Sequence, residues 1–524
     1  MKKIFRIYLL PVFMILTVTG CKKSFQDLTI NNNVPNAVPA SLLFNGILNS
    51  MVEYPDNSKE IYCQYYIYNY DYYGNNRYDF GSGDNYYTSL KNVVAMEDQA
   101  LKAGQPALNP YSAIAKFFKA YFFSKMSMEE GDIPMTQALQ GLKNLTPAYD
   151  TQKAIMVQSL AWLESANNDL TTLIAAKGNV LTGDMYFSGD LTQWQKVVNT
   201  FRIRLLVQLS KKTSDIDVVA QFAAVVGNPT KYPVMVSAAD NLQYKFLDPT
   251  NYYPQTPDNF GQSGSRQNTS ATYISLLTGL NDPRVFVTAE PARYNVDNLH
   301  QSPTAFSSFI GADPGLDLGV MYNNAGLQKY SFLNRKRYYS TFVGEPSIQI
   351  GYAELMFNIA EGINRGWATG DAESYYKKGI QTSFSYYGIP TGTGSFTAYF
   401  YRPGSKSTKD DANYDTYPIN VNWDTYYAQA GVKYTADAAG LTKILQQKYL
   451  ALFRHSGLES YFTYRRTRVP VFTTGPGTGN GGRIASRFQY PAAERTSNTT
   501  NYNKALADQY GGNDDINGIM YILK

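Results

Sequence analysis

The sequence predicts a mainly α-helical body that displays long, aromatic-rich loops. Three observations predict it. Apolar residues recur at helical spacing in nine separate segments. Between those segments run five long stretches crowded with Gly, Pro, Asn, Ser and Tyr: 56–84, 234–265, 282–345, 391–423 and 470–511. Aromatic residues make up 15% of the 524 positions, and 45 of them are tyrosine. An apolar share of 44% against 17% charged excludes wholesale disorder.

Taken in chain order, helices are expected at 41–51, 86–103, 111–128, 151–175, 190–209, 269–278, 348–363, 371–388 and 438–454. The segment from Asp190 opens with Asp190 and Gln193 in capping-box spacing. It then shows a stripe of Trp194, Val197, Val198, Phe201, Leu205 and Leu209. The stripe from Ile348 continues through Tyr352, Leu355, Met356, Ile359 and Ile363, one face of an amphipathic helix. Gly366 and Gly370 interrupt it before the next stripe, so the two should pack as an αα-hairpin. Loops this long in a compact body are commonly functional. A short strand at 331–336 is compatible with its composition.

The first 40 residues read separately. Lys2, Lys3 and Arg6 precede an apolar stretch from Ile7 to Val18, too short to span a bilayer. Thr19-Gly20-Cys21 follows. Residues 1–20 are thus expected to be a lipoprotein signal peptide, because Leu16 to Cys21 resembles a lipobox whose Cys21 is acylated. Residues 21–40 have tether composition, and the body is expected to be a single domain over 41–524. The three leader cations supply most of the small excess of 47 basic over 42 acidic residues, which leaves no footprint for nucleic acid. Two His and two Cys hardly suffice for a zinc site, so neither a metal nor a cofactor is expected. Cys63 should be a buried free thiol.

The chain resembles the SusD/RagB family of outer-membrane nutrient-binding lipoproteins. The resemblance rests on ordered landmarks: the lipobox, Asn33 to Leu43, Gly131-Asp132-Ile133-Pro134, and Trp194 with Arg202-Ile203-Arg204-Leu205. It continues through Asn281-Asp282-Pro283-Arg284, Tyr352-Ala353-Glu354-Leu355, Gln447 to Phe453, Tyr464-Arg465-Arg466-Thr467 and Tyr490 to Glu494. What it implies is a tetratricopeptide-like helix-pair scaffold with variable loops, a SusD-like fold. It also implies a non-catalytic, lipid-anchored outer-membrane protein, exposed at the cell surface. Such a protein would capture an oligosaccharide, or in some lineages a peptide, and pass it to a TonB-dependent SusC-like transporter.

Residues 62–87 contain ten tyrosines among Asn, Asp and Arg. Sugar rings offer C–H faces for aromatic stacking and hydroxyl rims for polar partners, so this mixture suits glycan recognition. Tyr72, Tyr73, Asn75, Arg77 and Tyr78 are the expected ligand contacts, with Tyr252, Tyr253, Arg266 and Trp423 as secondary candidates. Each tyrosine also has a packing reading, and Trp423 could instead begin a helix and turn inward. A surface glycoside hydrolase is the competing reading, with Glu354 and Glu361 on one helix face as the acid/base pair. His455 precedes Ser456-Gly457 at a helix end, where a cation would complement the macrodipole. The run 475–482 lacks a following Lys-Ser/Thr and reads as a flexible surface loop rather than a phosphate loop. Asn513, Asp515 and Asn517 echo a calcium loop, but Lys524 falls where that loop needs Glu. Arg465, Arg466 and Arg468 are expected to serve scaffold ion pairs.

Overall fold

The computed structural model describes residues 38–524 apart from Tyr73, together with the side chains of all but Gln262 and Ser263. The expected signal peptide, Cys21 and most of the expected tether lie outside the described residues. Helices of nine or more residues form the body: α1 (Ala40–Ser50), α2 (Tyr87–Lys102), α3 (Pro110–Glu130), α4 (Gln152–Ala176), α5 (Leu191–Gln208), α6 (Val218–Gly227), α7 (Ala271–Gly279), α8 (Leu318–Gly326), α9 (Tyr352–Asn364), α10 (Ala372–Tyr386), α11 (Ala438–Ala451), α12 (Glu459–Thr467) and α13 (Thr499–Tyr510). Successive helices pack on one another: α1 on α2, α2 on α3, α3 on α4, α4 on α5, and α9 on α10. Helix α9 also packs on α5 and α11, which joins the N-terminal and C-terminal series. One hydrophobic cluster runs through the body from Ala40 to Ile522.

Local chemistry sets these boundaries. Asn109 caps α3 by accepting from the Ser112 amide at 3.0 Å, Ser112 reciprocates, and Pro110 occupies the first turn where its missing N–H costs nothing. Helix α3 is buried on almost every face, the signature of a central helix rather than a surface one. Asp190 and Asp371 cap α5 and α10 through backbone amides of the first turn. Trp194, fully buried, donates its indole N–H to Asp184 at 2.8 Å.

Four sequence expectations fail locally. The 348–363 stripe starts a turn late, because Ser347–Ile350 is a strand pairing antiparallel with Leu242–Tyr244. Residues 331–336 form two isolated bridges, at Phe332 and Leu333, before a short helix Arg335–Tyr339. The 391–423 stretch is a regular hairpin, Thr393–Tyr401 against Tyr414–Asn422, in unbroken register from Thr393↔Asn422 to Tyr401↔Tyr414. The 475–482 run folds into two 3-10 turns pinned to the Arg77–Asp79 segment. The Thr478 carbonyl accepts from the Tyr78 amide at 2.8 Å, and the Asn480 amide donates to Asp79 at 2.7 Å.

Candidate functional site

The site is built on a two-stranded ribbon. Strand β1 (Tyr66–Tyr68) pairs antiparallel with β2 (Gln267–Thr269), and the Asn69 amide donates to the Arg266 carbonyl at 3.0 Å just beyond the register. Asn69 also spends its side-chain N–H groups on the Ser265 carbonyl and the Asn268 side chain, so the exit of β1 is fixed. The chain then turns out through Tyr70, Asp71 and Tyr72 and returns at Asn76. The Asn76 side chain substitutes for a third strand: it accepts from the Tyr68 amide at 2.9 Å and donates to the Tyr68 carbonyl at 2.8 Å. Gly74, at φ +154°, makes the return possible, since a Cβ there would lie 2.6 Å from the Tyr68 ring.

Helix α8 supplies the other half. Its Met321 and Ala325 are buried against Ile67 and Ala312 in a small apolar cluster separate from the main core. Tyr322, the neighbour of Met321, is thereby turned outward and remains 42% exposed. Its ring centre lies 5.0 Å from Tyr70, inclined 31°. Tyr70 is in turn 6.4 Å from Tyr72 at the same inclination, and Tyr72 is 81% exposed. The Arg266 guanidinium carbon sits 4.9 Å from the Tyr70 ring centre. Three phenol rings, Tyr70 inclined 31° to each of its two neighbours, thus make a shelf. Beside it opens a cavity of about 350 Å³ lined by Tyr322, Arg266, Asn69, Arg293 and Arg335, within the range of small-ligand pockets.

Of the residues expected from sequence, Tyr72 and Arg266 belong to this shelf, and Tyr73 lies outside the described residues. Asn75 is exposed and accepts from the Arg77 amide, while Arg77 pairs with Asp79, so both organise the return limb. Tyr252 is 43% exposed and stacks on Phe342 at 4.6 Å rather than on the shelf. Three assignments are corrected. Tyr78 is fully buried, packs on Tyr62 and Phe80 and donates to the Tyr62 carbonyl. Tyr253 is 1% exposed and its hydroxyl accepts from Arg454 in the interior. Trp423 begins a short helix and turns inward to stack on Tyr427 at 5.6 Å. In each case a large apolar ring contributes more by leaving water than by facing it.

Tyr322, Arg293 and Arg335 were not singled out from sequence, because 282–345 reads as loop. The signal was present in Asp317, which caps α8, and in Leu318, Met321, Tyr322 and Ala325 at helical spacing.

The hydrolase candidates are also settled by geometry. Glu354 is buried and held by both Nε and Nη2 of Arg204, which keeps its carboxyl below the usual range. Glu361 is wholly buried, and Arg466 and Arg365 push its pKa down to about 2 despite desolvation. Two carboxylates locked as ions out of reach of a polymer cannot serve as general acid and base. His455 is buried, and desolvation lowers its pKa to about 4, so it is a neutral ring whose Nδ1 accepts from the Ile348 amide. The expected capping cation is absent there. Among the described residues no group of His, Cys, Asp and Glu could hold a metal, and no helix is long and apolar enough to cross a membrane. Cys63 is a buried free thiol.

A helix-pair scaffold that presents an aromatic shelf on its excursions defines the class. The chain belongs to the SusD-like family, described as starch-binding and associating with the outer membrane, whose model matches residues 31–491. The chain is similar to two SusD homologues of Bacteroides fragilis, each 30% identical. One gives a TM-score of 0.78 over 93% of this chain and 100% of its own, the other 0.76 over 93% and 99%. A chitin-binding SusD homologue from Flavobacterium johnsoniae, 21% identical, gives 0.68 over 93% and 98% and supports the fold alone. The helix pairs are accordingly the tetratricopeptide-like scaffold of that family. No curated protein matches the chain significantly.

Proposed function

We propose that this protein captures an oligosaccharide on the shelf of Tyr70, Tyr72 and Tyr322 and delivers it to a TonB-dependent SusC-like transporter in the outer membrane. An acylated Cys21 would hold it at the cell surface, with 41–524 acting as one domain. The observation that carries the reading is the shelf itself: three inclined phenol rings within 6.4 Å of their neighbours, the outermost 81% exposed, beside a cavity. Tyr65, Tyr66 and Tyr78 nearby are buried, whereas Tyr72 keeps most of its ring surface accessible to a ligand. Its family supports the transport role.

A ring stacked on tyrosine contributes about 0.5–1.5 kcal/mol beyond area burial, so two such contacts are worth roughly tenfold to a hundredfold in affinity. Tyr72→Ala with Tyr322→Ala should therefore abolish retention on a glycan array while leaving the melting temperature within a few degrees, since neither ring is buried. Unchanged glycan retention by the double variant, or retention only on a parallel peptide array, would reject the reading.

A further inference from the structure

One groove differs from the other cavities in charge. The cavity beside the shelf and two further ones carry Arg, Lys or Glu in their linings. An open groove of about 1010 Å³ at the base of the Thr393–Asn422 hairpin has no Asp, Glu, Lys or Arg in its lining. Its floor is apolar: Phe286, Ile419 and Val421 are buried, and Phe306 is partly buried with its ring centre 5.0 Å from that of Phe286. Gly394, paired with Val421, adds no side chain to that floor. The rim consists of neutral amides and hydroxyls held by two contacts. Asn281 donates to Gln429 Oε1 at 3.0 Å, and Asn422 donates to Thr393 Oγ1 at 3.2 Å. The opposite end of the same hairpin borders the shelf, since Tyr401, Pro403 and Gly404 line the cavity there. From Tyr401 back to Ser395 the strand covers about 20 Å.

We infer that this groove is a second contact site for a neutral glycan chain already resting on the shelf. The inference rests on the shelf being the glycan site and extends its reach along the hairpin. A lining without charge offers nothing to offset the hydration an ionic ligand would lose, whereas sugar hydroxyls exchange water for the amides of the rim. Amides and hydroxyls both donate and accept, as sugar hydroxyls do, and the apolar floor suits the C–H faces of the rings. A peptide strand is matched less well. The Trp423 amide donates to the Gly392 carbonyl at 3.1 Å and the Arg402 amide to the Asn413 carbonyl at 2.8 Å, which fixes the alternation of bonded pairs along the hairpin. Pro418, Asn420 and Asn422 therefore turn their backbone outward, and Pro418 has no N–H to give an added strand. Two linked contacts on one chain raise affinity beyond either alone, so the groove acts on polymers and not on fragments too short to reach it.

Affinity electrophoresis of the purified protein through gels containing amylopectin, xyloglucan, polygalacturonate or gelatin tests it, beside an array of di- and trisaccharides. At least one of the two neutral polymers should retard the wild type. Phe306→Ala combined with Asn420→Ala should raise the concentration needed for that retardation by about fivefold or more, and leave retention on the short-sugar array unchanged. Asn420→Ala with Ser395→Ala, both at exposed positions, should shift it in the same direction, and melting temperatures confirm that the variants are folded. Neutral-polymer retardation that survives both pairs of substitutions overturns the groove and leaves the shelf intact. A parallel loss of short-sugar retention overturns the division of roles between shelf and groove. Relief of polygalacturonate retardation by the same substitutions rejects the neutral preference, and relief of gelatin retardation rejects the glycan in favour of a peptide. Retardation by neither neutral polymer also overturns the inference, and the tyrosine variants then decide the shelf separately.

Discussion

Burial decides what each aromatic or ionisable residue does here. Tyr72 and Tyr78 lie six positions apart in one tyrosine-rich stretch, yet one is 81% exposed and the other fully buried. The same rule makes His455 a stability determinant. Burial disfavours the imidazolium, Arg337 and Arg454 act in the same direction, and together they outweigh Glu345, which favours it, to bring the pKa to about 4. The folded value lies below the ordinary 6.5, so this residue's contribution is full above pH 6.5 and is lost as the pH falls through about 4. A shift of that size corresponds to about 3 kcal/mol. Glu60 acts in the opposite direction: burial raises it to about 7, so its contribution is present below pH 4.5 and is lost as the pH rises through 7. The two partly offset each other in the whole protein, and a comparison with His455→Gln isolates the histidine. The urea-unfolding free energy of the wild type should fall by about 3 kcal/mol relative to that variant between pH 6.5 and 4. Parallel pH profiles would show that His455 is not neutral in the fold.

At the scale of elements, the shelf is carried by a small satellite cluster of Ile67, Ala312, Met321, Ala325 and Tyr330 rather than by the main core. Its turn is tied down mainly by Asn76, whose two hydrogen bonds to the Tyr68 backbone stand in for a strand. Asn76→Ala leaves the helical body untouched but frees both groups of Tyr68, each bond being worth about 1 kcal/mol. The expected outcome is faster proteolysis within 69–76 and weaker glycan retention at a nearly unchanged global melting temperature. Equal cleavage rates would mean that the turn is held elsewhere.

The legibility of the sequence follows the same division. Helices α1 to α5 and α9 to α11 could be placed within a few residues because amphipathic stripes and capping residues are local signals. The hairpin was hidden because buried positions alternate only in the second half of each strand, at Ala398 and Phe400 and at Ile419 and Val421. Antiparallel pairing sets these at opposite ends, while Gly394 and Ser395 dilute the start of the first strand. The shelf was half legible: tyrosine density marks the stretch, but which ring faces outward depends on Tyr322 and Ile67, which are more than 250 positions apart.

Across the whole molecule, the site gathers segments that are remote in sequence onto one rigid support. Residues 69–72, 265–266, 290–293, 318–335 and 401–404 meet at the shelf and its cavity, whereas α1 to α5 and α9 to α11 contribute packing alone. Buried ion pairs stiffen that support, including Arg284 with Asp282, both fully enclosed, and Arg466 with Glu361. Removing one member of such a pair leaves the other charged and unsatisfied in the interior, so the scaffold has few partly open states to offer a ligand. Ligand binding should therefore be read locally. Hydrogen–deuterium exchange with a retained polysaccharide should slow in those five segments and remain unchanged through the helix pairs. Slowing instead along 393–422 would move the site to the uncharged hairpin groove. Slowing spread through α3, α4 and α5 would show that the scaffold itself responds, contrary to the division of labour between rigid helices and the excursions they carry.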